Sequence, residues 1–147
     1  MKISTQGKNR IKGYELLRLK AYMPTPNDVP TIGWGHTGKD VKLGMEITEE
    51  HAEELLDHDC AAVESSLTLS VTTPVNQNQV DALGCLVFNV GVSGFLRSHL
   101  RSQLNSGDLV KAKGNWLDWD HQGAVELAGL KKRRTEEWAL FVLPIAA

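Results

Sequence analysis

Residues 31–37 of this chain read Thr-Ile-Gly-Trp-Gly-His-Thr, and they follow Glu15 and the alternating run Arg-Leu-Lys-Ala-Tyr at 18–22. Between residues 18 and 43 the apolar spacing shortens from helical to strand-like, and Pro, Asn and Asp interrupt it at 24–30. We therefore predict a small antiparallel sheet with an irregular turn between its first two strands. Gly33 and Gly35 leave one face of the predicted second strand nearly bare, so that a neighbouring group can approach the backbone closely.

Helical patterns cover most of the remaining chain. Ser4 or Thr5 can cap a first short helix that ends near Glu15, and Thr48, followed by two glutamates, begins a long one. Further helical patterns occupy 78–91, 95–104, 109–119 and 130–143. We predict one α+β domain over residues 1–147, with a sheet lobe at about 15–47. The long helix would join this lobe to a mainly helical lobe, formed by 1–14 and 48–147.

Composition excludes several classes of protein. The formal net charge of -2 gives no strong field toward nucleic acid. Residues 1–9 lack an apolar run and no later segment approaches the roughly 20 apolar residues of a membrane span, so we expect a soluble cytoplasmic product without membrane insertion. Cys60 and Cys85 lie in apolar helical patterns typical of buried core residues, and the sequence leaves a disulfide between them open.

Two further patterns have ordinary explanations. The basic run 131–134 is typical of a solvated helix face, with an anion contact as the alternative. His51 and His58 are two helical turns apart, so their rings would be about 10 Å apart along the axis, too far for one zinc ion. We expect no metal and no cofactor.

Glu15 and Thr31 are the first candidates for chemistry. A carboxyl group at a helix C-terminus feels the negative end of the helix dipole, which favours the protonated form and suits a general acid for glycosidic cleavage. From its position alone, an ordinary surface glutamate at a helix end is the more common explanation. The hydroxyl of Thr31 can hold a water molecule or a sugar hydroxyl, although threonine is also common in strands for packing reasons.

The chain resembles the phage-type lysozymes, or endolysins, of glycoside hydrolase family twenty-four. The resemblance rests on Glu15 combined with the T-I-G-x-G-H motif at 31–36, and it extends over about residues 7–142. It continues through the segments 74–83 and 88–91, the pair Trp116 and Trp119, and the run 129–136 with its Gly-Leu start and its Arg-Arg pair.

This resemblance implies a two-lobed lysozyme fold with a saccharide groove. It also implies endolytic hydrolysis of the β-1,4 bond between N-acetylmuramic acid and N-acetylglucosamine in peptidoglycan, for phage-driven host lysis. Glu15 would protonate the leaving oxygen, and Phe88, Asn89 and Leu130 would border the groove, although core packing also explains Phe88. His36 would tie the small lobe to the rest of the molecule, with an acid such as Asp57 or Asp59 as its partner.

The resemblance also implies a setting for the protein. Its partner would be the peptidoglycan glycan strand, and it would act as a monomer. It would stay in the host bacterial cytoplasm until a holin-type pore releases it to the periplasm and cell wall.

One position departs from the family pattern. The family usually carries Asp or Cys nine residues after the glutamate, where this chain has Pro24, in a loop that is one residue longer than usual. Asp28 offers the only carboxylate in that loop, so it is the candidate substitute base, and a purely structural turn role is equally consistent with its position. If Asp28 faces away, Thr25 and Thr31 would orient the water.

Two rival functions remain open at this point. A lytic transglycosylase uses one acid and no water, which fits the missing acid at Pro24 but not Thr31 in its full motif. A peptidoglycan-binding module with weakened catalysis fits the altered loop.

Overall fold

The computed structural model describes residues 1–122 and 125–145. The backbone of these residues forms seven helices and five short strands. The helices are α1 (Thr5–Glu15), α2 (Glu49–Ser70), α3 (Gln77–Val90), α4 (Val92–Leu96), α5 (His99–Ser106), α6 (Leu109–Leu117) and α7 (Ala128–Val142). The strands are β1 (Arg18–Tyr22), β2 (Thr31–Gly33), β3 (His36–Thr37), β4 (His121–Gln122) and β5 (Val125–Glu126).

The first three strands form the predicted antiparallel sheet in the order β1-β2-β3. Thr31 lies opposite Tyr22 on one side and Thr37 on the other. The expected single glycine-rich strand is wrong in detail, because β2 and β3 are two arms of a tight hairpin. Gly33 and Gly35 have φ angles of +66° and +75°, which reverse the chain at Trp34 instead of extending it.

Two helix starts follow the predicted capping residues. The side chain of Ser4 accepts a hydrogen bond from the Gly7 N–H, and that of Thr48 accepts one from the His51 N–H. Each bond satisfies a donor that the first helical turn leaves free. Helix α2 packs on β2 and β3 and also on α3 and α4. It therefore joins the sheet to the helical part of the molecule, as predicted.

The core of the helical part is built around α3, which contacts α1, α2 and α7. Leu83, Leu86 and Val87 on this helix are fully buried. Both cysteines are buried free thiols, and burial raises the pKa of each to about 12. They act as small core residues, as predicted, and they do not form the disulfide that the sequence left open.

Two elements differ from the sequence-based expectation. The helix predicted at 95–104 is divided into α4 and α5, with Arg97 and Ser98 between them. The basic run on α7 is not a solvated face throughout, because Arg133 and Arg134 are buried. Helix α7 packs on α3 and α6, and Arg134 Nε lies 2.6 Å from Oε1 of the buried Glu137, one turn further along. Within the described ranges, no helix is long and apolar enough to cross a membrane.

Candidate active site

Glu15 is the last residue of α1, as the capping pattern predicted, and its side chain is 21% exposed. Its Oε1 accepts a hydrogen bond of 3.1 Å from Nη1 of Arg133 on α7. Sequence reasoning missed Arg133 because 118 residues separate the two partners and the basic run was assigned to solvent. The ion pair adds a positive charge that the helix-dipole argument did not include.

The guanidinium of Arg133 is fixed on several sides. Nη2 donates a 3.1 Å hydrogen bond to the Cys85 carbonyl, and Nε lies 3.4 Å from Oε2 of Glu137. The ring centroid of Tyr14 lies 4.4 Å from the central Cζ atom, so that the ring covers one face of the guanidinium. These contacts hold the charge in one place beside Glu15.

The second oxygen of Glu15 lies against the β2–β3 hairpin. A Cβ atom built on Gly35 would be only 2.8 Å from Glu15 Oε2 and 3.3 Å from Glu15 Cδ. No larger residue fits there without displacing the carboxylate. The close approach expected from the glycine pattern therefore occurs at the hairpin turn.

Thr31 lies in the same hairpin as Gly35 and is 5% exposed. Its hydroxyl donates a 3.1 Å hydrogen bond to the Val29 carbonyl. The lone pairs of that hydroxyl oxygen remain able to accept a further hydrogen bond. Thr31 is therefore an oriented acceptor on the hairpin whose turn contacts Glu15.

Asp28 has the geometry of a turn residue. Its side chain is exposed, Oδ1 accepts a 2.8 Å hydrogen bond from the Val29 N–H, and its own N–H donates to the Thr25 carbonyl. Within the described residues, no hydrogen bond links the Asp28 carboxylate to Glu15 or Thr31. The structure thus brings Glu15 and the hairpin together, while the hydrogen bonds of Asp28 stay within its own loop.

His36 lies buried between two carboxylates. Nδ1 is 2.8 Å from the nearer oxygen of Asp59 on α2, and Nε2 is 3.0 Å from Oδ2 of Asp40. Burial alone would lower the pKa of His36, but the hydrogen bonds to Asp59 and Asp40 outweigh it and raise that pKa above its usual value. The imidazole ties the hairpin to α2 through one of the two acids considered from the sequence.

The other predicted residues line two grooves. One groove of about 200 Å³ runs between the hairpin and helices α2 to α4, and Gly35, Thr37 and Phe88 line it. A second groove of about 430 Å³ contains Asn89, Trp119 and Leu130. Phe88 and Asn89 are consecutive at the end of α3, so each groove has one lining residue at this helix end. The described part of the chain holds no group of three His, Cys, Asp or Glu side chains able to bind a metal ion.

Comparison with known proteins places this geometry in context. The sequence profile of the phage lysozyme family matches residues 12–137. The endolysin of Salmonella phage P22 is 43% identical over 146 residues, which cover 97% of this chain and 99% of that protein. The endolysin of Bacillus phage PZA is 39% identical over 142 residues, or 96% of this chain. The chain spans only about half of that relative, 55% of its length, and a similar share of the Bacillus phage B103 endolysin, 54%.

Solved structures show the same architecture. A mutant of P22 lysozyme has a TM-score of 0.81 at 43% identity, covering 97% of this chain and 99% of that one. The muramidase domain of SpmX from Asticaccaulis excentricus has a TM-score of 0.86 at 35% identity, with the same coverage. These similarities confirm the predicted lysozyme-like α+β fold.

Proposed function

This chain belongs to the phage lysozyme family, and on that basis we propose that it is an endolysin muramidase acting in host cell lysis. The bond cleaved is the β-1,4 linkage between N-acetylmuramic acid and N-acetylglucosamine in bacterial peptidoglycan. The main support is Glu15, a carboxyl group held between Arg133 and Gly35 beside a groove, in a chain 43% identical to the P22 endolysin.

Glu15 acts as the general acid. Arg133 occupies Oε1, so Oε2 is the oxygen that delivers a proton to the leaving glycosidic oxygen. Because Gly35 has no side chain, the backbone of the hairpin can lie directly against Oε2 without displacing the carboxyl group. Because Arg133 fixes the carboxyl plane, the proton donor needs little reorganisation when the substrate arrives.

Thr31 and Asp28 position and activate the water that attacks the sugar. The support for Thr31 is its oriented hydroxyl, on a buried residue of the hairpin whose turn contacts Glu15. The support for Asp28 is only that it is the one carboxylate in the loop 23–30. Its observed hydrogen bonds are those of a turn residue. Thr31 is therefore the better supported of the two.

The two grooves bind the glycan. Phe88 in one, and Asn89 with Leu130 in the other, present an aromatic face, an amide and an aliphatic side chain. Sugars need such a combination, since their ring faces are apolar and their edges carry hydroxyl groups. A glycan strand running through both grooves would pass the end of α3.

The partners and location follow from family membership alone. We propose that the protein acts as a monomer on peptidoglycan strands. It is made in the host bacterial cytoplasm and passes to the periplasm and cell wall through a holin-type pore.

The deciding experiment digests purified Gram-negative peptidoglycan and identifies the fragment ends by mass spectrometry. Ends in hydrated N-acetylmuramic acid are expected. Ends in 1,6-anhydro-muramic acid would instead indicate a lytic transglycosylase. Intact wall that retains the protein would leave only a binding module.

Glu15→Gln tests the acid directly. It keeps the shape of the side chain but removes the proton donor, so the rate should fall by about 10³-fold or more. Glu46→Gln is the matched control, because Glu46 is an exposed carboxylate paired with Lys20 on the surface of the sheet. Equal clearance of permeabilised cells by Glu15→Gln and wild type would remove Glu15 from the mechanism.

Asp28→Asn tests the second carboxylate. If Asp28 activates the water, the rate should fall by about 10²-fold, the lower end for general base catalysis, without loss of stability. An unchanged rate would assign water positioning to Thr31.

A further inference from the structure

Tyr14, the residue immediately before Glu15, contacts the same arginine. Its ring centroid lies 4.4 Å from the guanidinium carbon of Arg133, and its hydroxyl donates a hydrogen bond to Glu136. Successive helical residues point about 100° apart, so Tyr14 and Glu15 reach Arg133 from different directions. Glu15 meets an edge of the guanidinium and Tyr14 covers a face.

The other contacts of Arg133 are hydrogen bonds at the edges of its guanidinium, so the tilt of the guanidinium plane depends on the Tyr14 ring. Nη1 is bound to Glu15, Nη2 to the Cys85 carbonyl, and Nε only loosely to Glu137, at 3.4 Å. In-plane hydrogen bonds define the edges of a guanidinium but resist tilting of the plane weakly. A ring stacked on the face supplies that resistance.

The Tyr14 ring is itself anchored. Burial and the hydrogen bond to Glu136 hold the pKa of the Tyr14 phenol above its usual value, so the hydroxyl stays neutral and donates. Glu136 lies on α7, three residues after Arg133, and its other ion pair, with Lys132 at 3.9 Å, is on the exposed surface. A continuous set of contacts therefore runs from Glu136 through Tyr14 and Arg133 to Glu15.

We propose that Tyr14 is a positioning residue, which holds the Arg133 guanidinium at the angle that orients Glu15 for proton transfer. The proposal rests on the proposed hydrolase function. Tyr14 contacts Arg133 and Glu136, so its proposed effect reaches Glu15 through the Arg133 guanidinium.

Three variants test the role. Tyr14→Leu removes the aromatic face, and kcat on soluble peptidoglycan fragments should fall about tenfold, with KM changed less than about twofold. Tyr14→Phe keeps the face and loses only the anchor, so it should recover kcat to within about threefold of wild type. Lys132→Ala removes the other partner of Glu136 and should match wild type in both parameters.

A double variant separates positioning from general stability. If Tyr14 acts only through Arg133, Tyr14→Leu combined with Arg133→Met should be no slower than Arg133→Met alone. The proposal would be overturned if the fold-losses in kcat of the two single variants multiplied in the double variant. It would also be overturned if a folded Tyr14→Leu protein kept the wild-type kcat. A loss carried by KM alone would overturn it equally.

A measurement independent of catalysis distinguishes this proposal from the proposed function. In ¹⁵N-edited spectra the Nε–H resonance of Arg133 should be shifted by the Tyr14 ring and protected from exchange, and Tyr14→Leu should abolish both effects. Wild-type protein that leaves peptidoglycan uncut would overturn the hydrolase function. An Nε–H signal unaffected by Tyr14→Leu would overturn the contact itself.

Discussion

At the scale of single residues, the Glu15 carboxyl group, our proposed acid, lies where a side chain on Gly35 would be. In Gly35→Ala the new Cβ would lie 2.8 Å from Glu15 Oε2, and Ala would also have to adopt a φ of +75°. We expect activity to fall about 100-fold, because the displaced carboxyl group no longer meets the substrate correctly. The loss of stability should be only about 1–2 kcal/mol, the cost of left-handed backbone.

Gly44→Ala is the matched control for this prediction. Gly44 also has a positive φ, +95°, but a Cβ there would meet no atom within 4 Å. It should lose similar stability in urea denaturation and keep full activity. Equal losses of activity in the two variants would show that backbone strain, and not the contact with Glu15, is responsible.

Leu16 is the opposite case, a large residue where glycine would be favoured. It directly follows Glu15, has φ +53° and ψ 143°, and is 67% exposed. Leu16→Gly should stabilise the protein by about 1 kcal/mol, because relief of about 1–3 kcal/mol of strain exceeds the added entropy of the unfolded chain. Leu19→Gly, in extended β1, should instead destabilise it, and thermal unfolding of both variants provides the comparison.

Sequence alone predicted the site in part. Glu15 and the glycine motif were selected because a helix end, a period change and a motif are all local features, but the hairpin formed by the motif was expected to be a single strand. Arg133 was not found, since its burial depends on how α7 packs against α3, and no local pattern records that packing. Asp28 was chosen by elimination within its loop, and loop side-chain directions are not encoded in periodicity.

At the scale of elements, α7 contains a buried ion pair, Arg134 with Glu137, although the sequence pattern of the basic run 131–134 predicts a solvated face. Arg134 is fully buried, and its Nε lies 2.6 Å from Oε1 of buried Glu137. Arg134→Met should cost about 3–5 kcal/mol, because it leaves the Glu137 carboxylate in the core with poorer compensation. Lys131→Met, on the exposed face of the same helix, should change the free energy of unfolding by less than about 0.5 kcal/mol.

The combined variant Arg134→Met with Glu137→Met tests the cause. If the uncompensated charge is responsible, the double variant should be more stable than Arg134→Met, as measured by chemical denaturation. A double variant that is less stable would indicate that packing of the long side chain dominates.

The elements themselves were largely predictable. Caps at Ser4 and Thr48 and the apolar spacing located α1, α2, α3, α6 and α7 to within a few residues. The division of 95–104 into α4 and α5 was missed. The apolar spacing continues across Arg97 and Ser98, but the regular helical pattern of backbone hydrogen bonds is interrupted there.

At the scale of the whole molecule, His36 links the sheet to α2, the helix that joins it to the helical part. Its pKa is raised in the folded protein, because the hydrogen bonds to Asp59 and Asp40 outweigh burial. The stabilisation is therefore fully present below the unfolded pKa, about 6.5, and is lost as pH rises through the folded value. We expect the urea midpoint to fall as pH is raised from about 6 to about 9.

The carboxylate partner Asp40 gives stability the opposite dependence on pH. The hydrogen bond from His36 lowers the pKa of Asp40. The stabilisation contributed by Asp40 is therefore present above about pH 4 and is lost on further acidification. His36→Asn should flatten the dependence on the alkaline side. A pH slope unchanged in this variant would place the titrating group elsewhere.

The pairing of Glu15 with Arg133 also sets when, during synthesis of the chain, the pair can form. The two residues stand 118 positions apart, near opposite ends of the chain. At about 5–20 residues per second, a ribosome adds the arginine about 6–24 s after the glutamate, and α7 docks only later. An unfinished chain thus carries Glu15, the proposed catalytic acid, without the arginine that binds it, so this pair is completed only once nearly all of the domain has been synthesised.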